Sequence, residues 1–305
     1  MFILALEVIG TLVSFAAKVG EAAEQMGLQH LTIQKKLTQV DIEEVGRLTS
    51  ICNRFEGLDF LPPDSQMQAI LYHEEGQLVG SLTIFTSWLG KAELTIIVHP
   101  KKRREGVGST LLRKAKEECK RQGIERCLLI CQESSKSGKA FVQSTRCQYQ
   151  FSEYRMKLDR SCSISLTGQA VRMYQASLED RKLLASIAAK SFGDLEDTHL
   201  QRYTEDIPKE AHRFYIAEVA NQAIGSVGVV SFGDRVWIVA LGVIPEYRRR
   251  GYGRQMLNRL VQGLLEENHQ EILIEVATEN QNALTLYRSC GFKEQAEYGY
   301  YAVPP

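Results

Sequence analysis

Apolar and polar residues alternate along three successive segments in the second half of the chain. The segments are FYIAEV, AIGSVGVVS and VWIVALGV, and the short turns ANQ and FGDR separate them. A period of two is typical of strands that bury one face, so the pattern predicts an antiparallel meander over residues 214–243. A further apolar segment, EILIEVA at 271–277, predicts another strand.

Helical periodicity predicts the elements around this meander. Apolar residues recur at intervals of three and four in RQMLNRLVQGLLEENH, at Met256, Leu257, Leu260, Val261, Leu264 and Leu265. Ser177, with Asp180 three residues later, is typical of a helix N-cap. The segment NALTLYRSC predicts a helix that ends at Gly291, because glycine readily adopts the left-handed conformation after a helix.

The first 30 residues form a separate apolar segment. Its apolar stretch, residues 2–17, contains Glu7 and is shorter than the roughly 20 residues that cross a bilayer. No basic residue precedes Lys18, whereas a signal peptide begins with positive charge. In a helix the polar residues share one stripe. We expect an N-terminal helical extension over residues 1–30 that covers a domain face or a subunit contact, with a membrane anchor as the alternative.

The chain contains an internal repeat. VHPKKRREGVG (98–108) matches VIPEYRRRGYG (243–253), and VGSLTI (79–84) matches IGSVGV (224–229), both at an offset of 145 residues. Such a long period indicates a duplicated domain and not a solenoid. The polar segment DRSCSISLTGQ is typical of a linker. The predicted organisation is therefore a first domain at 31–158, a linker at 159–169 and a second domain at 170–305.

The charge balance and the cysteine content restrict the classes of binding partner and the cellular compartment. Lysine plus arginine and aspartate plus glutamate both number 37, so no global field attracts the chain to nucleic acid or to a membrane surface. The seven cysteines are odd in number and include no Cys-x-x-Cys pair. This usage favours reduced thiols in a cytoplasmic protein over a disulfide framework or a metal site.

The repeated hexad RRRGYG joins a predicted strand to a predicted helix. The amide groups at the start of a helix have no partners within the helix, and together with the helix dipole they attract an anion. Gly251 and Gly253 let a ligand approach the main chain, and Arg248, Arg249 and Arg250 add positive charge. These features predict a diphosphate site. The lysine and Ser/Thr of a nucleotide P-loop are absent. The alternative interpretation is a basic turn at a helix entrance.

Two motifs in order carry a family resemblance. Arg-x-x-Gly-x-Gly, followed by Asn-x-x-Ala-x-x-x-Tyr-x-x-x-Gly-Phe at 280–292, resembles the GNAT acetyltransferase superfamily. The resemblance covers residues 170–305 fully and residues 31–158 more weakly. It implies an α+β fold of two tandem GNAT-like domains, each a mixed, mostly antiparallel sheet flanked by helices. It also implies acetyl-CoA as the acyl donor, with the pyrophosphate on the loop that includes Tyr252.

The resemblance assigns further residues of the second copy. Backbone groups of Leu241 and Val243 would pair with pantetheine like an added strand. Tyr287 matches the donor of a proton to the CoA sulfur, and Glu275, twelve residues upstream, matches the base of ribosomal-protein N-acetyltransferases in the superfamily. Asn280 matches a residue that hydrogen-bonds the cofactor or orders water. Without the resemblance, each residue has an alternative interpretation. Tyr287 would be an aromatic residue of the core, and Glu275 would be a carboxylate that faces solvent or pairs with a cation.

The first copy keeps only part of this pattern. Arg103, Gly106 and Gly108 remain and predict a second diphosphate site. Aligning Ala140 with Ala283 places Ser144 at the Tyr287 position, Gln132 at Glu275, Ser137 at Asn280 and Gln148 at Gly291. The first copy is therefore expected to bind a CoA-like ligand without turnover. This arrangement is similar to tandem GNAT proteins such as mycothiol synthase, in which the N-terminal copy is degenerate.

The predicted function is acetyl-CoA-dependent N-acetylation of an amine on a small molecule or peptide, catalysed by the second copy. The alternatives are a non-catalytic acyl-CoA-binding or sensing protein, and an aminoacyl or long-chain acyl transferase on the same scaffold. A homodimer is a further expectation. The segment 192–215 contains acidic residues that either attract the amine or form a solvated helix face: Asp194, Glu196, Asp197, Glu205 and Asp206.

Overall fold

The computed structural model describes residues 30–65, 67–86, 91–162, 170–232 and 234–304. The predicted N-terminal extension, apart from residue 30, and residues 163–169 of the predicted linker lie outside the described residues. The chain divides into two compact units, Met1–Tyr149 with Tyr301–Pro305, and Gln150–Tyr300. Each unit combines helices with a mixed sheet, which confirms the predicted α+β class.

The first unit contains five strands in sequential order. They are β1 (His30–Gln34), β2 (Gln68–Glu74), β3 (Gln77–Thr86), β4 (Lys91–Val98) and β5 (Arg126–Gln132). Strands β1 to β4 pair antiparallel, and β4 pairs with β5 in parallel. Its described helices are α1 (Gln39–Glu56), α2 (Val107–Arg121) and α3 (Lys136–Ser144).

The second unit repeats this plan. Its strands are β6 (Gln148–Leu158), β7 (Arg172–Gln175), β8 (His212–Val219), β9 (Gln222–Phe232), β10 (Arg235–Val243), β11 (Glu271–Ala277) and β12 (Phe292–Ala302). The strand order is β12-β6-β11-β10-β9-β8-β7. Its described helices are α4 (Arg181–Phe192), α5 (Glu196–Asp206), α6 (Tyr252–Glu266) and α7 (Gln281–Ser289). Strands β8, β9 and β10 form the predicted antiparallel meander.

Alternation along the strands gives the second sheet two apolar faces. One face contacts α6 and α7, where Met256, Leu257 and Leu284 pack with Val236, Ile238, Ile274 and Val276. The other face contacts α4 and α5, where Leu184, Ala188 and Tyr203 pack with Phe214 and Ile216. Glu275, between Ile274 and Val276, therefore lies on the α4 and α5 face, because successive strand residues point to opposite sides.

Strand β6 lies in an unexpected place. The predicted boundary assigned residues up to 158 to the first domain, whereas residues 150–158 belong to the second unit, where β6 pairs antiparallel with β11. In the same way residues 301–305, at the end of β12, belong to the first unit. Each copy of the sequence thus ends in a strand that contributes residues to the other unit.

Local capping follows the sequence signals. Ser177 and Asp180 form a reciprocal capping box, in which the Ser177 hydroxyl and amide both bond the Asp180 carboxylate. Gly291 follows α7 with φ of +89°. Within the described part of the chain, no helix is both long and apolar enough to span a bilayer.

Candidate active site

The glycine-arginine loop of the second copy begins helix α6. Gly251 is the N-cap residue, with φ of +79°, and no side chain caps the helix. A Cβ at Gly251 would meet nothing within 4 Å, so the helix start faces open space. Arg249 is also left-handed, with φ of +63°. Unbonded amides at the positive end of a 15-residue helix suit an anion.

The first copy repeats this loop closely. Gly106 caps α2 with φ of +86°, and Arg104 has φ of +68°. Arg103 Nε donates to the Val98 carbonyl at 3.1 Å, as Arg248 Nε donates to the Val243 carbonyl at 2.8 Å. These equivalences hold at the offset of 145 residues. Both copies therefore present the same backbone to a ligand.

The three arginines of the second loop make different contacts. Arg248 also donates to the Ser191 carbonyl at 2.6 Å, so it anchors the loop to the end of β10 and to α4. Arg249 donates to the Asn282 side chain at 3.0 Å. The Arg250 guanidinium lies over the Tyr247 ring, 5.4 Å from its centroid, and is exposed. All three arginines are exposed, but Arg248 is committed to two carbonyl groups, so Arg249 and Arg250 are the candidate charges for a diphosphate.

Strand β10 carries a bulge beside this loop. Ala240 and Leu241 together lie opposite Val227, because the pairing with β9 shifts between Val239 and Gly242. Ala240 has φ of +51°, which is unfavourable for a residue with a Cβ. The parallel pairing of β10 with β11 ends at Ile238 and Ile274. Leu241 and Val243 thus lie where two parallel strands separate, with Leu241 outside the β9 ladder.

The equivalent strand of the first copy is regular. Strand β4 pairs with β3 residue by residue from Gly80–Val98 to Thr86–Ala92 without a shift. Strand β4 has 8 residues and β10 has 9. The bulge is therefore a shift in strand pairing that distinguishes β10 from β4, and it lies beside the predicted pantetheine groups.

Helix α7 holds the predicted proton donor. The Asn280 side-chain oxygen accepts from the Ala283 amide at 3.1 Å, so Asn280 is the N-cap of α7. Tyr287 is 7% exposed and belongs to the core cluster of α6. Burial, and next the nearby Cys290 thiol, raise the pKa of Tyr287 to about 12. Tyr287 is therefore a neutral phenol near neutral pH, the form that a proton donor requires.

Glu275 is held in an ion pair. Its carboxylate accepts from Arg155 Nε of β6 at 3.0 Å. Arg155 also donates to the Tyr298 hydroxyl at 2.8 Å and lies over that ring, 4.5 Å from its centroid. The second interpretation from sequence, a carboxylate paired with a cation, describes this contact. No sequence pattern indicated Arg155, because its strand precedes the predicted linker.

The structure corrects the sequence alignment of the first copy after β5. Strands β5 and β11 match at an offset of 145, and so do helices α3 and α7. At that offset Val142 occupies the Tyr287 position, Ile130 that of Glu275 and Ser135 that of Asn280. Ser135 caps α3 as Asn280 caps α7, with the Gly138 amide at 3.0 Å. Ser144, Gln132, Ser137 and Gln148 were thus assigned two residues too late.

The corrected alignment strengthens the contrast between the copies. Val142 is buried and has no acidic hydrogen, and Ile130 has no basic group. At the loop, a Cβ on Gly108 would meet the Phe141 ring at 3.1 Å, whereas one on Gly253 would meet Leu286 at 3.5 Å. The first copy thus lacks both candidate proton carriers and is more tightly packed beside its loop.

A cavity of about 420 Å³ lies at the loop of the first copy. Its walls include Arg103, Gly106 and Gly108 of the loop, Ile96 of β4, Ile130 of β5 and Ser137 of α3. These residues correspond to the predicted diphosphate and pantetheine positions. The structure thus brings the three predicted residues of the first copy together around one cavity.

Glu56 is a lining residue of this cavity that the sequence did not reveal. Its carboxylate accepts from Arg103 at 3.0 Å and from the Ser135 and Ser137 hydroxyls at 2.9 Å each. Burial alone would raise the pKa of Glu56, but the two serine hydrogen bonds and the Arg103 charge lower it. A fixed negative charge therefore lies within the first copy's cavity.

The acidic segment of the second copy is partly engaged. Asp206 is bonded by Lys209 at 2.6 Å, with Arg202 at 3.5 Å. Burial would raise the pKa of Asp206, but its hydrogen bonds from His212 and Lys209 lower it strongly. Glu205 accepts from Gln201 at 3.1 Å. Asp206 is thus part of an ion-pair network, while Asp194, Glu196 and Asp197 remain exposed.

The duplicated α+β fold, its glycine-arginine loops and its diverging parallel strands define the class of tandem acetyltransferase folds. The profile of the acetyltransferase (GNAT) family matches residues 41–144 and 181–292, so both copies are recognised. The chain belongs to this family.

Curated relatives match part of the chain. Mouse N-acetyltransferase 8B is 26% identical over 127 residues, which are 38% of this chain and 55% of that protein. Human N-acetyltransferase 8 is 27% identical over 90 residues, which are 28% of this chain and 40% of that protein. The chain thus spans about half the length of the curated relatives it matches.

Solved structures match the whole fold. A GCN5-related N-acetyltransferase from Sphaerobacter thermophilus has a TM-score of 0.72 and 16% identity, covering 90% of this chain and 96% of that one. A tandem GNAT protein from the clavulanic acid biosynthesis pathway has a TM-score of 0.66 and 16% identity. The match covers 90% of this chain and 99% of that one. At these identities the likeness shows a shared tandem fold alone.

Proposed function

We propose that the protein is an acetyl-CoA-dependent N-acetyltransferase whose second copy catalyses the reaction. The observation that carries this proposal is the coincidence, in one unit, of the anion loop, the β10 bulge and Tyr287. The first copy repeats the loop and lacks the other two features. The acceptor is an amine of a small molecule or peptide. The seven free thiols support a reducing compartment, and we propose the cytoplasm.

The residues of the second copy fit acetyl-CoA. The uncapped start of α6, Arg249 and Arg250 would hold the diphosphate. The free edge at Leu241 would bond the pantetheine amides in the manner of an added strand. The bound cofactor supplies an activated thioester. The chain positions the amine beside it, which removes the entropy cost of bringing two reactants together.

Two proton transfers accompany acetyl transfer. The acceptor must lose a proton before its nitrogen has a lone pair for attack, and a departing sulfur is a better leaving group when it is protonated. Tyr287 is the candidate donor to sulfur. Its raised pKa keeps the proton available through the physiological range.

A second role is favoured for the first copy by its cavity of about 420 Å³. We propose that this copy binds an acyl-CoA or a related diphosphate without turnover. Glu56 opposes an anion there, so a weaker affinity than that of the second copy is expected.

The experiment that tests the proposal is a screen of purified protein with acetyl-CoA against a panel of amines. Release of free thiol would be measured, and acetylated product would be identified by mass spectrometry. The proposal predicts amine-dependent thiol release. Binding of acetyl-CoA with no release above the protein-free control, for any amine, would instead favour the non-catalytic alternative.

A further inference from the structure

A second carboxylate lies close to Glu275 on the same face of the sheet. In the antiparallel pairing of β6 with β11, Arg155 is opposite Glu275 and Glu153 is opposite Ala277. Directly opposed residues point to the same side. Glu153 is therefore a diagonal neighbour of Glu275, on the α4 and α5 face. It comes from residues that precede the predicted linker, so no motif of the second copy includes it.

The two carboxylates differ in their partners. The Arg155 guanidinium forms an ion pair with Glu275, with Nε and Oε1 3.0 Å apart. Glu153 Oε2 accepts one hydrogen bond, from the Tyr300 hydroxyl at 3.1 Å. Among the described residues, none hydrogen-bonds Glu153 Oε1. An oxygen without a partner can accept a proton without first breaking an ion pair.

Glu153 hydrogen-bonds a buried tyrosine that packs against another aromatic ring. The Tyr300 ring stacks on Phe151, with centroids 4.5 Å apart, and Tyr300 is 6% exposed. Burial, and next the Glu275 charge, raise the pKa of Glu153 to about 7, although the Tyr300 hydrogen bond acts in the opposite direction. The charged and titratable groups on this face of the three strands are Arg155, Lys157, Glu271, Glu275, Tyr298 and Tyr300.

Glu153 lies on β6, one strand away from the opening between β10 and β11. Pairing of β11 with β10 ends at Ile274, so the end of β11 borders the separation. The Thr278 amide donates to the Ser152 carbonyl at 2.9 Å and fixes Glu153 beside this end of β11. Tyr287 belongs to the core on the other face. The candidate proton donor and the candidate proton acceptor thus lie on opposite faces of this sheet.

We propose that Glu153 is the catalytic residue that accepts the proton of the acceptor ammonium. This inference rests on the proposed acetyl transfer and replaces Glu275 as the base. The proton passes to Glu153, and the freed lone pair forms the C–N bond. The C–S bond then breaks, and Tyr287 protonates the departing sulfur. The surplus proton on nitrogen restores the Tyr287 phenol, and Glu153 releases its proton to solvent. Glu275 and Arg155 position this strand.

The test compares Glu153→Gln with Glu275→Gln in single-turnover acetyl transfer between pH 5.5 and 9. Wild type should lose activity as the pH falls through about 7, because a protonated base is inactive. At pH 7.5, Glu153→Gln should be slower than wild type by about 10²-fold or more. Its rate should also lack the acidic limb, which is the loss of activity as the pH falls through about 7. Glu275→Gln should retain the limb. Glu297→Gln, on the opposite face of β12, is the control and should match wild type.

Three outcomes decide the inference. The inference would be overturned by a folded Glu153→Gln variant whose rate still falls at acidic pH and stays within about threefold of wild type, because the expected loss is about 10²-fold. Absence of transfer by wild type would count against the proposed function instead. In that case, carbon-13 NMR titration of the glutamate carboxyls tests whether Glu153 has the raised pKa that the inference requires. A carboxyl that titrates near 7 and is lost in Glu153→Gln supports the inference, and titration of Glu153 near the ordinary value of about 4.3 refutes it.

Discussion

The two copies have nearly the same anion loop but different surroundings. Arg104 and Arg249, like Gly106 and Gly251, share left-handed backbone conformations. The neighbouring strand is regular in the first copy and bulged in the second. The helix that follows carries Val142 in one and Tyr287 in the other. The loop predicted to bind a diphosphate is thus separable from the residues proposed for acyl transfer, and the first copy retains the loop more fully than those residues.

The largest expected effect concerns this helix. Tyr287→Phe removes only the hydroxyl and should slow the chemical step by about 10²–10⁴-fold if that hydroxyl protonates the sulfur. A hydroxyl that serves packing alone would cost only about 0.5–1.5 kcal/mol of stability. Single-turnover rates and melting temperatures measure both quantities. Val142→Ala in the first copy is the matched variant and should leave the rate unchanged. A folded Tyr287→Phe variant with wild-type chemistry would remove the main catalytic difference between the copies.

The next effect concerns cofactor affinity. A Cβ on Gly253 has ordinary contacts with Leu286 and Val243, so a large side chain fits the helix and obstructs approach to its amides. Gly253→Trp should weaken acetyl-CoA binding to the second copy by about 10²-fold or more, as the loss of several charge-assisted hydrogen bonds implies. Gly263→Trp, later in α6 and with nothing within 4 Å, is the control. Equal affinities by isothermal titration calorimetry would disprove the loop assignment.

Two carboxylates, the partly buried Glu153 in the second unit and the buried Glu118 in the first, should respond to pH in opposite directions. The pKa of Glu153 is raised from 4.5 to about 7, so its ionisation reduces stability as the pH rises through that range. Glu153→Gln should therefore be more stable than wild type above pH 7, by at most about 3 kcal/mol. This advantage should vanish below pH 4.5, where the carboxyl is protonated in both states.

Glu118 in the first unit provides the opposite case. A hydrogen bond from Arg121 is the main cause that lowers the pKa of Glu118 to about 2. Its stabilising contribution is present above pH 4.5 and is lost as the pH falls towards 2. Glu118→Gln should therefore be less stable than wild type at neutral pH. Denaturant unfolding at pH 8, 6 and 4 measures both variants, and the same sign for both would contradict these assignments.

The smallest effect concerns the strand. Ala240 has φ of +51°, a conformation that glycine adopts without strain. Ala240→Gly should therefore stabilise the protein by about 1 kcal/mol. Thr95→Gly, at the equivalent place in the regular strand β4, should destabilise it by a similar amount, because glycine weakens a strand interior. Urea unfolding of both variants tests the difference, and destabilisation by both would indicate that the bulge is not strained.

The sequence predicted the features that rest on local rules. The helix start at Gly251, the Ser177 cap and the left-handed Gly291 each depend on a few adjacent residues and are confirmed. The fold class followed from the repeat and the two motifs. The bulge at Ala240 could not be predicted, because the residues on both sides of Ala240 are apolar and the offset of 145 between the copies is the same before and after β10.

Features that depend on long-range pairing could not be predicted from the sequence. The alignment of the first copy after β5 matched Ala140 with Ala283, whereas the caps at Ser135 and Asn280 show the true register. The placement of β6 beside β11 brings Arg155 to Glu275, 120 residues later in the chain. No local pattern encodes such a contact, because strand pairing depends on the completed sheet.

The most direct test of the central claim, that the second copy alone catalyses acetyl transfer, is the turnover of two matched variants. Gly106→Trp and Gly251→Trp alter equivalent left-handed caps, each with open space around a Cβ, so the backbone strain is alike. Acetyl-transfer rates would be measured for both, with circular dichroism to show that each is folded. We expect a rate within about threefold of wild type for Gly106→Trp and no detectable transfer for Gly251→Trp. Transfer by Gly251→Trp together with its loss in Gly106→Trp would contradict the account.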